Sequence, residues 1–328
     1  MSYRQYRVVF IVFLLLVSAY ITGCNGLRYE FTSFESYEAG QVLNAPETSK
    51  YEAYEPNLEA NTLQIFAVGD TGAENEGQRI VSRQMAAWAR TNPIDFVLFL
   101  GDNFYGRGVK SILDEQWKTK FEDIYYQESL QIPFYAVLGN HDYYKNPEAQ
   151  VDYSLVSKRW KMPSRFYQFT KKIDEDTAID FFALDTESLL RGNGEGQLEW
   201  LEQGLKKSKA HWKIVFSHHP LYSGGKKRKE TLELRTLLEL LLVKYGVDLY
   251  VSGHNHSVEL TKPIAGVRYL VSGAGARPRD VYWGEHTQFA DAELGFAWLI
   301  ISKDKIDVNF INNEENVLFS HSFNKKVS

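Results

Sequence analysis

Five short polar clusters in this 328-residue chain carry side chains able to bind a cation or move a proton: Gly69-Asp70-Thr71-Gly72, Gly101-Asp102-Asn103-Phe104-Tyr105, Gly139-Asn140-His141-Asp142, Val215-Phe216-Ser217-His218-His219 and Gly253-His254-Asn255-His256. Together they supply carboxylates, a phenol, an amide and imidazoles, the oxygen and nitrogen donors that a metal centre needs. Five of the eight histidines fall in three of these clusters. Taken singly, each signal is modest. A Gly-Asp pair after a strand is often a turn in which glycine takes positive φ and aspartate caps the backbone. A lone histidine is by default hydrogen-bonded and structural. Gly-His-x-His is sharper, and all five clusters in one order outweigh the structural reading.

The elements that must position these clusters are legible as apolar, β-rich runs over 63–68, 96–100, 134–138, 214–216 and 249–251, each running straight into one cluster. Ligands of α/β sheets sit beyond the carboxyl ends of strands, so the clusters are expected to converge. Helical patterns are predicted over 77–90, 111–126, 197–207 and 231–245. Toward the C-terminus, 269–272, 296–302, 306–311 and 317–323 read as strands joined by short turns, expected as antiparallel ribbons that extend a second sheet. No repeat or low-complexity break divides the chain after residue 61, so one α/β domain over 61–325 is the simplest division.

Composition narrows the class. With 44% hydrophobic and 24% charged residues the chain is neither disordered nor collagenous. A formal charge of −5 is too weak a field to argue for nucleic acid as a partner. Cys24 is the only cysteine, which excludes an intramolecular disulfide, a zinc finger and a CxxC pair. Any metal must be held by His, Asp, Glu, Asn or Tyr.

Residues 1–23 read as an export signal: Arg4 and Arg7 precede an apolar run over 8–20, and small residues lead to Cys24. That run is short of the roughly 20 residues that span a bilayer core. Ile21-Thr22-Gly23-Cys24 resembles the bacterial lipobox, whose cysteine is lipidated after cleavage, which implies a membrane anchor through Cys24 in a bacterial cell envelope, on a periplasmic or surface face. Residues 24–60, rich in glutamate and interrupted by Gly40, Pro46 and Pro56, read as an acidic tether. A monomer is expected.

The ordered set GDTG, GDNFY, GNHD, VFSHH and GHNH resembles the metallophosphoesterases, and among them the purple acid phosphatases, particularly their small tartrate-resistant branch, which Tyr105 marks off. The similarity extends to Leu184-Asp185-Thr186, to 197–201, to Tyr245-Gly246-Val247 and to Ser272-Gly273-Ala274-Gly275, about two thirds of the chain. The resemblance implies a sandwich of two mixed β-sheets flanked by helices, in α-β-β-α layers. It also implies a two-metal site in which Asp70, Tyr105 and His256 bind the first ion, Asp102 bridges both, and Asn140, His218 and His254 complete the second. Two carboxylates and a phenolate suit Fe(III), whereas an amide and two imidazoles suit Fe(II), Zn(II) or Mn(II). The implied reaction is hydrolysis of a phosphomonoester by in-line attack of a metal-held hydroxide, with His141 as the acid that meets the phosphate or the leaving oxygen.

Departures from the family are also visible. Where related animal enzymes bring a further histidine toward the site, this chain reads Ser223-Gly224-Gly225-Lys226-Lys227-Arg228-Lys229, a solvated basic turn or an anion-steering lid. The short, cysteine-free stretch over 187–196 removes a disulfide-tied regulatory loop. His219 is expected to pack or hydrogen-bond beside His218, and Asp142 to orient His141. The competing functions are a phosphodiesterase or nucleotide phosphatase of the same superfamily, and a surface lipoprotein that binds metal or phosphate without catalysis.

Overall fold

The structure, a computed structural model, describes residues 61–225 and 228–325. The export signal, Cys24 and the acidic tether lie outside the described residues, as do Lys226 and Lys227. In chain order the strands are β1 (Leu63–Val68), β2 (Phe96–Phe99), β3 (Phe134–Ala136), β4 (Trp160–Lys161), β5 (Tyr167–Lys172), β6 (Ala178–Ala183), β7 (Trp212–Phe216), β8 (Leu249–Ser252), β9 (Val258–Thr261), β10 (Arg268–Ser272), β11 (Thr287–Asp291), β12 (Gly295–Ile301), β13 (Lys305–Asn312) and β14 (Val317–Asn324). The α-helices are α1 (Glu76–Thr91), α2 (Glu148–Tyr153), α3 (Thr186–Leu190), α4 (Gln197–Lys207) and α5 (Arg228–Lys244).

The strands form two mixed seven-stranded sheets, ordered β14-β13-β12-β1-β2-β3-β4 and β11-β9-β10-β8-β7-β6-β5. In the first, β1 to β4 run parallel and β12 to β14 are antiparallel. In the second, β6, β7, β8 and β10 are parallel, with β5, β9 and β11 antiparallel at the flanks. This is the two-sheet sandwich that the motifs imply. The parallel strands are apolar almost throughout because both faces are covered. Between the sheets, Phe96 of β2 meets Phe181 of β6 with ring centroids 5.4 Å apart, and Phe169 stacks on Phe181 at 4.9 Å. On the outer face of the first sheet, α1 packs Trp88 edge-on against Trp298. On the outer face of the second, Leu201 and Leu205 of α4 and Leu234, Leu238 and Leu242 of α5 cluster with Phe182, Val215 and Tyr250.

Three expectations need correction. The helical pattern over 111–126 is not an α-helix: Asp114 accepts the Lys110 and Gln116 amides in a turn, and only a π-helical turn, Lys118–Glu122, follows. Its apolar residues nevertheless cover the sheet, with Phe121 and Tyr125 packed edge-on to Phe99. The last three strands extend the first sheet rather than the second, because β12 pairs with β1 in the register Leu63↔Ile301; of the four tail runs read as strands, only 269–272, within β10, joins the second sheet. Helix α5 begins at Arg228, earlier than the pattern over 231–245 suggests, so the last two residues of the basic run belong to a helix.

The inter-sheet aromatic contact is the natural place to test the sandwich. Phe96→Ala should lower the stability of the protein by about 3–5 kcal/mol, whereas Leu155→Ala, at a side chain 86% exposed, should stay within about 0.5 kcal/mol; guanidinium midpoints followed by circular dichroism check both.

Candidate metal centre

All five clusters lie at the carboxyl ends of parallel strands, β1, β2 and β3 in one sheet and β7 and β8 in the other. The two sheets are stitched together at this end. Gly69 N–H donates to Ser272 O at 2.8 Å, Ser272 Oγ donates to Ala67 O at 2.7 Å, and the His218 ring at the end of β7 reaches Leu100 O at the end of β2, 2.8 Å away. The side chains turn inward because the backbone does. Among the described residues seven non-glycine positions have positive φ, and three of them are Asp70 (59°), Asp102 (52°) and His254 (66°). Such a conformation costs on the order of 1–2 kcal/mol per residue. Glycines of neighbouring motifs leave room for these aspartates: a Cβ on Gly139 would sit 2.2 Å from Asp102 N and 2.3 Å from Asp102 Oδ1, and one on Gly253 would sit 2.7 Å from Asp70 Oδ2.

On one side, Tyr105 Oη donates to Asp70 Oδ1 at 2.8 Å and lies 3.0 Å from His256 Nε2, which is itself 3.3 Å from Asp70 Oδ1. His256 Nδ1 lies 2.6 Å from Arg277 O. A carbonyl can only accept, so Nδ1 carries the hydrogen and the Nε2 lone pair of the neutral ring faces the site. His218 obeys the same rule, with Nδ1 held by Leu100 O and Nε2 turned toward Asn140 Oδ1 (3.3 Å), Asp102 Oδ1 (3.5 Å) and His254 Nδ1 (3.0 Å). Asp102 stands between the two sides. Its Oδ1 accepts the His141 amide at 2.9 Å, and its Oδ2 faces His141 Nε2 at 3.9 Å. One oxygen or nitrogen from each of Asp70, Asp102 and His218 falls within 4.8 Å of the others, and so does one from each of His218, His219 and His254.

What these atoms have in common is an excess of lone pairs over hydrogens. Asp70 Oδ1, Tyr105 Oη and His256 Nε2 share one phenolic proton, while the Asp102 carboxylate, Asn140 Oδ1 and His218 Nε2 present lone pairs to one another. Water or a proton would satisfy one such contact; an array of them fits cations. Electrostatics agree. Burial works to raise the Asp70 pKa, but His256, His218 and Tyr105 together hold it below the ordinary carboxylate value. Burial, followed by the charges of Asp70 and Asp102, pushes the Tyr105 phenol up, so the bare chain keeps that proton and a multivalent cation among the same oxygens would reverse the preference. Every residue predicted for the site, Asp70, Asp102, Tyr105, Asn140, His218, His254 and His256, with His141 at the rim, is thereby brought into one cluster.

The structure corrects one role and supplies others. The Asp142 carboxylate does not turn to the His141 ring; it accepts the backbone amides of Gly139 (2.8 Å), Phe104 (3.1 Å) and Asn103 (3.2 Å), tying the second motif to the third. Burial, then the Asp102 charge, pushes its pKa up to about 7. His219 packs its ring 4.8 Å from that of His218 and 4.3 Å from that of His254, with Nδ1 2.9 Å from Thr186 Oγ1. The carbonyls of Leu100 and Arg277 that orient the imidazoles carry no side-chain signal in sequence, which is why residue types alone do not disclose them.

Comparison with known proteins agrees with this geometry. The Calcineurin-like phosphoesterase family matches residues 63–258. Tartrate-resistant acid phosphatase type 5 of Homo sapiens is 35% identical over 292 residues, covering 78% of this chain and 89% of its own. Purple acid phosphatase 7 of Arabidopsis thaliana is 31% identical, covering 81% and 87%. Among solved structures, GAP50, described as the anchor in the inner membrane complex of Plasmodium, superimposes with a TM-score of 0.74 at 26% identity, covering 81% of this chain and 90% of that one. The chain belongs to the calcineurin-like metallophosphoesterases and, within them, to the purple acid phosphatase family. It is a hydrolase of phosphoric monoesters.

The glycine cradle yields a direct test. Gly139→Ala should displace Asp102 while leaving the far-ultraviolet circular dichroism of the sandwich in place, and kcat/KM should fall at least ~10²-fold, the scale expected when a reacting centre is misplaced by about 1 Å.

Proposed function

We propose that this chain is an exported, lipid-anchored acid phosphatase that works with a binuclear centre, Fe(III) beside Fe(II), Zn(II) or Mn(II). Asp70, Tyr105 and His256 would hold one ion and Asn140, His218 and His254 the other, with Asp102 shared. The observation that carries this reading is the convergence of carboxylate, phenol, amide and imidazole ligand atoms from the ends of five strands on one cluster. When bound, such a pair supplies an activated water and positive charge for the phosphoryl oxygens.

The chain's own residues do the rest. The amides of Gly139, Asn103 and Phe104, fastened by Asp142, keep the second and third motifs at a fixed separation, so Asp102 and Asn140 are preorganised. His141 is the proton donor. Its side chain is 33% exposed, in contrast to the buried imidazoles, and its ring is held edge-on to Tyr105 at 4.6 Å and to Tyr144 at 5.5 Å. Nε2 is the ring nitrogen turned toward Asp102 Oδ2, 3.9 Å away. A protonated imidazole at that rim gives its Nε2 hydrogen to the leaving oxygen of an ester attacked in line, and leaves as neutral histidine. An acidic optimum is expected, as for the acid phosphatases that this chain resembles.

Export and anchoring rest on Arg4, Arg7, the apolar run over 8–20 and the lipobox-like Ile21-Thr22-Gly23-Cys24. Among the described residues no helix is long and apolar enough to cross a membrane. The alternatives are a phosphodiesterase or nucleotide phosphatase of the same superfamily and a surface lipoprotein that binds metal or phosphate without turnover.

One set of assays separates these readings. The full chain and its Cys24→Ala variant are expressed in a bacterial host, loaded with iron and zinc, and offered p-nitrophenyl phosphate, its bis ester and an alkyl phosphate between about pH 4 and 8. Monoester preference with an acidic optimum is expected, in the membrane fraction for the natural chain and in the soluble fraction for Cys24→Ala. His141→Asn should lower kcat on the alkyl ester by ~10²-fold or more and on the nitrophenyl ester by less, because nitrophenolate leaves without a proton. Diester preference would favour a phosphodiesterase, and metal binding without turnover the binding protein.

A further inference from the structure

One buried acid has no part in the mechanism above. Glu259 lies on β9, three residues beyond His256, and is 4% exposed. Its Oε1 accepts from Ser223 Oγ and from Ser257 Oγ, both at 2.6 Å, and its Oε2 accepts the Gly224 amide at 2.6 Å. Burial raises the pKa of this carboxyl, and the same three donors work against that rise. All three contacts are from donors, so the ionised carboxylate is the form they match.

The partners come from two separate stretches of chain. Ser223 and Gly224 belong to the segment between β7 and α5, while Ser257 closes the turn that carries His254 and His256. The two stretches touch elsewhere as well. Asn255 Nδ2 donates to Ser223 Oγ at 2.5 Å, the Gly225 amide donates to the same oxygen at 3.0 Å, and a Cβ on Gly225 would lie 2.4 Å from Asn255 Cγ. From the other side the Tyr282 amide donates to Gly224 O at 3.1 Å. Beside this seam opens a cavity of about 280 Å³ whose wall includes His254, His256, Asn255, Ser257, Gly225 and Arg279. Two of its lining residues are metal-ligand candidates, and the rest, Asp280 included, offer amides, a hydroxyl, a guanidinium and a carboxylate, groups that recognise a hydroxylated substituent rather than an apolar one.

We infer that Glu259 is a positioning residue: by clamping Ser223 and Gly224 against the turn that carries Asn255 and Ser257, it sets the shape of the pocket that receives the alcohol portion of the phosphate ester. The inference rests on the phosphomonoesterase reading. It makes the preferred substrates esters of polar, hydroxylated alcohols, whose selectivity is read at Asn255 and Ser257 and not at the metal ligands.

The test uses Glu259→Gln in the full, metal-loaded chain. Glutamine keeps the shape and removes the charge, but one end of its amide must now face either the Gly224 N–H or the two serine hydroxyls. The backbone N–H can only donate, so the amide oxygen faces Gly224 and the NH2 group faces the hydroxyls; Ser223 Oγ already accepts from Asn255 Nδ2 and the Gly225 amide, so the clamp on Ser223 is lost. Glycerol phosphate and p-nitrophenyl phosphate serve as probes, with metal content and Tm recorded beside the kinetics. The expected result is a fall of ~5-fold or more in the ratio of kcat/KM for glycerol phosphate to that for p-nitrophenyl phosphate, carried by KM, with unchanged metal content; one lost hydrogen bond of about 1 kcal/mol corresponds to that factor. Ser223→Ala, which removes a partner of both Glu259 and Asn255, should shift the ratio in the same direction and replaces the first variant if Glu259→Gln does not fold. An unchanged ratio in a folded variant overturns the inference, and so does a loss of metal with a common fall in kcat on both esters, which would make Glu259 a support of the ligand turn alone. Turnover of p-nitrophenyl phosphate by the natural chain is the control: its absence would refute the phosphatase reading, while its presence with an unshifted ratio would refute only the role of Glu259.

Discussion

Leu100 O and His218 Nδ1, 2.8 Å apart, join the end of a strand in one sheet to the end of a strand in the other. Much depends on that contact. It fixes the imidazole so that its other nitrogen, with its lone pair, points at Asp102 and Asn140, and it holds the two sheets in the relation that lets residues separated by more than a hundred positions share one cluster. Arg277 O performs the same service for His256. The imidazoles of His218 and His256 are thus each oriented by a backbone carbonyl, and there the site inherits the rigidity of the sheets instead of the freedom of its side chains.

Concentrating acceptors in this way is unfavourable in the bare chain. Three residues adopt positive φ without being glycine, two carboxylates lie buried, and a phenol is pressed by their charges. Strain of this kind persists only where the surroundings over-determine it, and here they do: glycines stand where a Cβ would strike Asp70, Asp102 or His218, and the sandwich packs aromatic rings beneath. The cation pair proposed for this site would resolve the conflict, which would make binding of metal and the local geometry two views of one energetic balance.

Much of this was legible in the sequence, for physical reasons. The strands that end at the site are short apolar runs, buried on both faces; four of the five lead into a glycine and a polar residue, and the fifth, β7, into Ser217-His218. That pattern leaves little alternative, and it located Asp70, Asp102, Asn140, His218 and the His254–His256 pair. Properties that depend on pairing across long sequence distances were not legible. Strand β12 reads as a strand, but only its pairing with β1 decides which sheet it extends. The stretch over 111–126 has the apolar spacing of a helix, yet the Asp114 side chain captures local amides and a turn wins. Asp142 sits next to His141 in sequence and serves the amides of Gly139, Asn103 and Phe104 instead. Glu259 carries no motif at all; its interest arises from Ser223 and Gly224, some 35 residues away.

The central claim, that these buried acceptors form a two-cation site bridged by Asp102, is tested most directly by counting metal. Protein refolded or dialysed free of metal is loaded with iron and zinc, freed of excess, and assayed for ions per chain by plasma mass spectrometry, with Asp102→Asn and Tyr105→Phe alongside. Two ions per natural chain are expected, no more than one in Asp102→Asn, and selective loss of the iron in Tyr105→Phe. A natural chain that retains no ion, or an Asp102→Asn variant that retains both, would contradict the two-cation account.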